Sequence, residues 1–326
     1  MSADASLLAG QDNFRDLMRR LTLRFGLSSI LVALIAVFTT VEPSFASRAD
    51  ITSLIGSTSI SMIMFLGLTW FFAVGEIDVS FVSITALSNM ITAGLVSSGF
   101  GWPLAAAAAM VASVAVGLLN GILIAHLGLP SLVITIATGG AASALAAAIG
   151  TGASIALDAP GFLDPLFTVS WGTVPLVAFL ALALYGAAWY TQERLTLGQY
   201  IYAVAQNRRA VVEAGIPVNR LLMLLALLLA FCSGLAGVLL ASDLASGQPW
   251  LASSYFLDGL TSVLLGSTML KLGKPNILGT AVGVLVLAVM VRGGALLGWT
   301  ESNFQLMKGG LLLVGLTVVY WTNVRK

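Results

Sequence analysis

Along most of the chain, apolar and small residues run on for about twenty positions before a polar break. Neither the alternation of a half-buried strand nor the apolar stripe of a soluble helix is present. A helix that crosses the hydrocarbon of a bilayer needs about 20 mostly apolar residues. Ten runs meet that need: residues 25–41, 51–74, 79–98, 102–125, 130–150, 172–191, 221–241, 256–270, 276–292 and 304–322. The eighth is short. The fifth, dense in Gly and Ala, is expected to be broken. The pattern predicts an all-α integral membrane protein of about ten transmembrane helices in a single permease domain, 25–322. A polar segment, 1–24, precedes it, and a short tail, 323–326, follows.

Basic residues orient the spans, because Lys and Arg accumulate on the cytoplasmic side. With the N-terminus inside, the inner segments hold Arg15, Arg19, Arg20, Arg24, Arg194, Arg208, Arg209, Arg220, Lys271, Lys274, Arg325 and Lys326. The outer segments hold Arg48, Arg292 and Lys308, and the last two are expected to snorkel from outer span ends. Twelve against three favours ten spans with both termini cytoplasmic.

Composition agrees. The 326 residues are 58% hydrophobic and 9% charged, too few charges to cover a water-facing surface. A net charge of +1 points to no nucleic acid. Small residues recur at helical spacing: Gly117 and Gly121 form GxxxG in the fourth span, and Gly279 and Gly283 in the ninth. Such pairs let helix backbones approach closely in lipid, so packing is their expected role.

The polar exceptions carry the candidate chemistry. Between the second and third spans, AVGEIDVSFVS places Glu76 and Asp78 in an otherwise uncharged setting. Asp78 followed by Ser80 reads as a cap for the third span. An inner-gate role is the alternative. The one long inner loop, 192–220, holds six charges. In it Asn207 reads as an N-cap for two helical turns from Arg208 to Ala214, ended by Gly215 and Pro217. An isolated surface helix in such a chain suits a partner. Two outer segments stand out: 151–171, with Asp158 and Asp164, and 242–258, with Asp243, Gln248, Trp250, Tyr255 and Asp258. The aromatic rings there read as interfacial anchors.

Several chemistries are excluded. GSTMLKLGKP resembles a phosphate loop but spaces its glycines too widely and lacks the Ser or Thr after GK. His126 is the only histidine and Cys232 the only cysteine, which gives no metal set, proton relay or disulfide. No GxSxG or HExxH motif occurs.

Four stretches carry a family likeness: AVGEIDVSFVSITALSNM, LNGILIAHLGLPSLVITIAT, GQYIYAVAQNRRAVVEAGIP and ASGQPWLASSYFLDGLTSVLLGSTMLKLGKPNILGTA. In this order and spacing the chain resembles the permease subunits of ribose-type ABC sugar importers, over roughly residues 50–320. The resemblance implies a bacterial inner-membrane permease that pairs with a second permease chain. It also implies an ATPase below, usually tandem, and a periplasmic solute-binding protein above. ATP and magnesium would sit on the ATPase, with no cofactor and no catalytic residue on this chain. Asn207, Arg208, Arg209, Ala210, Glu213, Ala214 and Gly215 match the coupling segment that would meet the ATPase. Two positions depart from the pattern. Glu76 stands where the family has Gly, and is expected to pair with a basic residue of the ATPase. Gly273–Lys274–Pro275 replaces a Gly-rich turn.

A path for a neutral sugar calls for hydroxyls and amides, and the candidates are Asn89, Asn120, Thr135, Thr138, Gln248, Asp258 and Ser262. The alternatives are an ion-coupled secondary transporter, a branched-chain amino acid permease of the same superfamily and, least of all, an intramembrane enzyme. A secondary transporter places several ionisable groups at mid-membrane, and the spans here are nearly free of them.

Overall fold

The computed structural model describes residues 25–158 and 161–324. The expected N-terminal segment with Arg15, Arg19, Arg20 and Arg24, and the tail residues Arg325 and Lys326, lie outside the described residues.

A helix stands at each of the ten apolar runs. They are α1 (Phe25–Val41), α2 (Arg48–Ala73), α3 (Phe81–Ser97), α4 (Trp102–Gly121), α5 (Ser131–Ile149), α7 (Leu176–Arg194), α9 (Val218–Asp243), α10 (Leu251–Gly266), α11 (Ile277–Leu296) and α12 (Glu301–Val324). Among the described residues, two further α-helices, the single turn α6 (Pro165–Thr168) and α8 (Thr196–Glu213), and a 3-10 helix (Pro43–Ala46) belong to connections. Among the described residues, six helices are long and apolar enough to cross a membrane, and α1 and α3 are shorter apolar helices. The chain is a multi-pass membrane protein.

The eighth helix departs from its expected bounds. It begins at Leu251 and ends at Gly266, so Asp258 lies inside a helix and not at a loop edge. At about 1.5 Å per residue it is about 24 Å long, short of a bilayer core of about 30 Å. The segment after it is closed by one buried side chain. Asn276 Nδ2 donates to the carbonyls of Met269 (3.0 Å), Lys274 (3.2 Å) and Gly266 (3.4 Å). Its Oδ1 accepts from Gly279 N at 2.8 Å and caps α11. The expected break in the fifth span is absent: α5 runs unbroken from Ser131 to Ile149.

α9 sits at the centre and packs against α2, α3 and α4. Its sequence allows this because small residues fall at the crossings. A Cβ on Gly67 of α2 would lie 2.4 Å from Leu229 Cα, and one on Gly237 of α9 would lie 2.4 Å from Thr85 O. The two GxxxG pairs do the same. Gly117 and Gly121 face Ala230, Ala226 and Met223 of α9, while Gly279 and Gly283 lie against the backbone of α10 at Gly266 and Ser262. Dispersion between such close backbones holds helices together in lipid, where apolar burial gives no drive. A second group, α10, α11 and α12, packs beside α2, and Leu27 and Phe38 of α1 join its apolar clusters.

Four two-residue strands complete the fold among the described residues. β1 (Ile155–Ala156) pairs antiparallel with β4 (Ser246–Gly247), so the two outer segments singled out in the sequence meet. β2 (Ser170–Trp171) pairs with β3 (Val174–Pro175) just before α7, which starts four residues later than the apolar run.

Candidate functional site

The candidate residues gather at both ends of the bundle. At the end where α2 gives way to α3, residues 76–79 run outside any helix against α5. Ile77 N donates to Ser131 Oγ and Val79 N to Thr135 Oγ1, each at 3.2 Å. Asp78 is buried, and its Oδ1 accepts from Ser80 N and Ser80 Oγ, both at 2.6 Å. Asn120 of α4 donates to Ser80 Oγ at 3.0 Å. The carboxylate therefore caps the start of α3, and Ser80 links that cap to a third helix. Burial pushes the Asp78 carboxyl up to about 6, against hydrogen bonds from Ser80 and Phe81 that lower it.

Glu76 has a basic partner within this chain. It pairs with Arg208 of this chain, Oε1 to Nη1 at 3.3 Å. The cause is geometric. α8 packs on α2 and α9, which brings the turn after α2 beneath its second half.

α8 itself was only half legible. The helix begins at Thr196, eleven residues before the expected cap, with Gly198, Ile201, Val204 and Val211 buried along one face. At Asn207 the backbone leaves the helix (φ −155°, ψ 88°), and its Oδ1 accepts from Ala210 N at 3.1 Å. The expected cap is thus in place, though inside a kinked helix. Gly215 ends the helix at φ +78°, with Gly215 N on Val212 O and Ile216 N on Val211 O. Asn207, Arg208, Arg209, Ala210, Glu213, Ala214 and Gly215 are all exposed, and Arg209 pairs with Glu213 along the same face at 3.1 Å.

The first half of α8 is fastened to the segment between α10 and α11. Tyr202 donates to Pro275 O at 2.8 Å, and the Lys271 and Lys274 ammonium groups lie 4.7 and 5.6 Å from its ring centroid. Lys271 also pairs with Glu193 at the end of α7. Gln192 Oε1 accepts from Ile277 N at 2.9 Å. The departure at Gly273–Lys274–Pro275 is therefore where α8 is anchored.

The path candidates fall into separate groups. Asn120 and Thr135 belong to the Asp78 cluster. Thr138 returns its hydroxyl to Ile134 O within α5. Asn89 joins Gln248 under the β1–β4 pair: Oδ1 accepts from Gln248 N at 2.7 Å, and Nδ2 donates to Ser246 O at 3.2 Å. Asp258 and Ser262 line a cavity of about 390 Å³ among α2, α10, α11 and α12, in the half of the bundle remote from α8.

Lys308 and Arg292 both meet carboxylates. Lys308 Nζ meets Asp258 Oδ1 at 2.8 Å, and Arg292 forms a two-pronged pair with Asp50 in the first turn of α2. Each cation has a carboxylate on a neighbouring helix. Sequence reading put Arg292 and Lys308 near outer span ends but could not pair them with Asp50 and Asp258, 242 and 50 positions away. Asn276 was missed too, although an Asn directly before an apolar run is a cap signal. Among the described residues no group of His, Cys, Asp and Glu could hold a metal.

The family profile described as "Branched-chain amino acid transport system / permease component" matches residues 51–316. The ribose import permease protein of Escherichia coli is 28% identical over 88% of this chain and 91% of its own length. The L-arabinose ABC transporter permease protein of Azospirillum brasilense is 28% identical, over 89% and 86%. The autoinducer 2 import system permease protein of Yersinia enterocolitica is 30% identical over 92% of each chain. No solved structure matches. A non-enzymatic bundle of apolar helices, matched along most of its length, belongs to the branched-chain amino acid transport system permease component family.

Proposed function

We propose that this chain is the permease subunit of an ATP-driven importer, and that its solute is a monosaccharide or a related polyol. The observation that carries the reading is the match over nine-tenths of the chain to permeases named for ribose and L-arabinose import. In this reading all ten helices cross the bacterial inner membrane, with both termini in the cytoplasm, and two permease chains pair. A periplasmic binding protein delivers solute, and an ATPase, carrying ATP and magnesium, docks on the exposed second half of α8. The distribution of basic residues and the polar character of α8 support this orientation.

Within α8 the contacts divide. Arg208 holds the helix to Glu76. Arg209 and Glu213, whose side chains are 90% and 67% exposed, are free to face the ATPase. Purification of the tagged chain in mild detergent tests this. A P-loop ATPase is expected to accompany it, and to be lost from Arg209→Ala/Glu213→Ala while the permease still elutes as a monodisperse peak. Retention of the ATPase by that double variant would place the docking surface elsewhere.

A further inference from the structure

The cavity among α2, α10, α11 and α12 is built unlike the rest of the bundle. Lys308 is 6% exposed, yet its ammonium reaches into the cavity wall to meet Asp258. Around this pair stand hydroxyls of α2 and α10. Ser57 and Ser61 return theirs to carbonyls one turn back, Ser53 O and Ser57 O. Thr58 and Ser262 do not: both line the cavity, both are buried, and neither hydroxyl has a hydrogen-bond partner. Buried hydroxyls are normally partnered, so two orphans on one cavity mark places where a ligand group would complete the bonding. Tyr255 adds an aromatic ring to the same wall.

We propose that this cavity is a binding site within the permease for a neutral polyol of monosaccharide size. The inference rests on the importer reading and deepens it, because it has the permease contact the solute directly. The size fits, since small-molecule sites run from about 300 Å³ upward. The chemistry selects among solutes. A polyol donates and accepts at once, so it can serve Thr58, Ser262 and the outer faces of Asp258 and Lys308 while that ion pair stays closed. A zwitterionic amino acid would have to split the pair to be held by it, and breaking a buried pair is strongly unfavourable. The ring of Tyr255 offers an apolar face to the C–H side of a sugar.

Thiol accessibility tests the proposal in the full chain with its co-purified ATPase and no binding protein. Native Cys232 is buried, so Ser61→Cys adds a thiol in the cavity for a water-soluble thiosulfonate. D-ribose, L-arabinose and D-allose, each at millimolar concentration, are the probes, and L-leucine is the comparator. At least one sugar is expected to slow modification about tenfold, and Asp258→Asn/Lys308→Gln to abolish that protection. The double variant keeps a neutral hydrogen bond, and its elution profile reports folding. Thr58→Val and Ser262→Ala, which leave the ion pair intact, are expected to weaken protection separately. No protection by any sugar, protection by L-leucine in its place, or undiminished protection in all these variants would overturn the proposal. ATP-driven uptake by the unmodified complex, with its binding protein added, is measured in parallel. Uptake without protection sinks the cavity assignment alone, whereas absence of both ATPase and uptake sinks the importer reading.

Discussion

At the scale of single residues, the polar groups of this chain mostly hold backbone in place. Asp78 shows it best. Its bonds run to Ser80 N and Oγ, both on one carboxylate oxygen, which an amide oxygen can replace. Asp78→Asn is therefore expected to keep assembly and uptake. Asp78→Ala is expected to lower stability by about 1 kcal/mol, the usual cost of a lost cap, read as a drop in melting temperature in detergent. Loss of uptake by a well-folded Asp78→Asn would show a gating role instead. Asn276 serves more partners. Its amide satisfies three carbonyls and caps α11, so Asn276→Ala is expected to cost about 1–3 kcal/mol and to raise hydrogen exchange across 266–276. Exchange unchanged in that segment would refute the role. The Glu76–Arg208 pair is partly exposed, and a double-mutant cycle is expected to give a coupling below about 1 kcal/mol. Its use is to position α8, so a larger effect on ATPase retention than on melting temperature is expected.

At the scale of helices, close backbone approach decides which substitutions are tolerated. Gly67 and Gly237 sit where any side chain would strike backbone of the facing helix. Gly67→Val and Gly237→Val are expected to abolish the monodisperse peak in size-exclusion chromatography. Gly140→Ala, on α5 with open space around the position, is expected to leave it unchanged. Equal behaviour of the three would remove close packing as the explanation. Helix existence was legible in the sequence because lipid imposes a long uninterrupted apolar run, a strong signal. Helix bounds were less so. α10 slid toward Leu251: Asn276 closes the segment after it, and the β1–β4 pair, a contact between distant segments, stands just before it. The first half of α8 escaped notice because only four residues, on one face, are buried, too sparse a stripe beside the runs around it.

At the scale of the whole molecule, one end of the bundle offers charge to a partner and the other holds paired charges around a cavity. The second half of α8 was readable from a cap signal at Asn207 and a closing Gly215 and Pro217. The ion pairs were not, because Asp50 with Arg292 and Asp258 with Lys308 become neighbours only when α2, α10, α11 and α12 assemble. Their presence changes one argument. The spans are not free of charge, and Asp258 stands midway along α10, yet Asp258 with Lys308 and Asp50 with Arg292 are separate closed pairs, not the chain of ionisable groups that an ion-coupling relay uses.

That distinction is open to one direct measurement: uptake of a radiolabelled monosaccharide into vesicles holding the permease, its ATPase and its binding protein, with ATP and with an uncoupler. The account predicts uptake that stops without ATP and continues with the uncoupler present. Uptake that continues without ATP and collapses with the uncoupler would contradict it, and would make this chain an ion-coupled carrier.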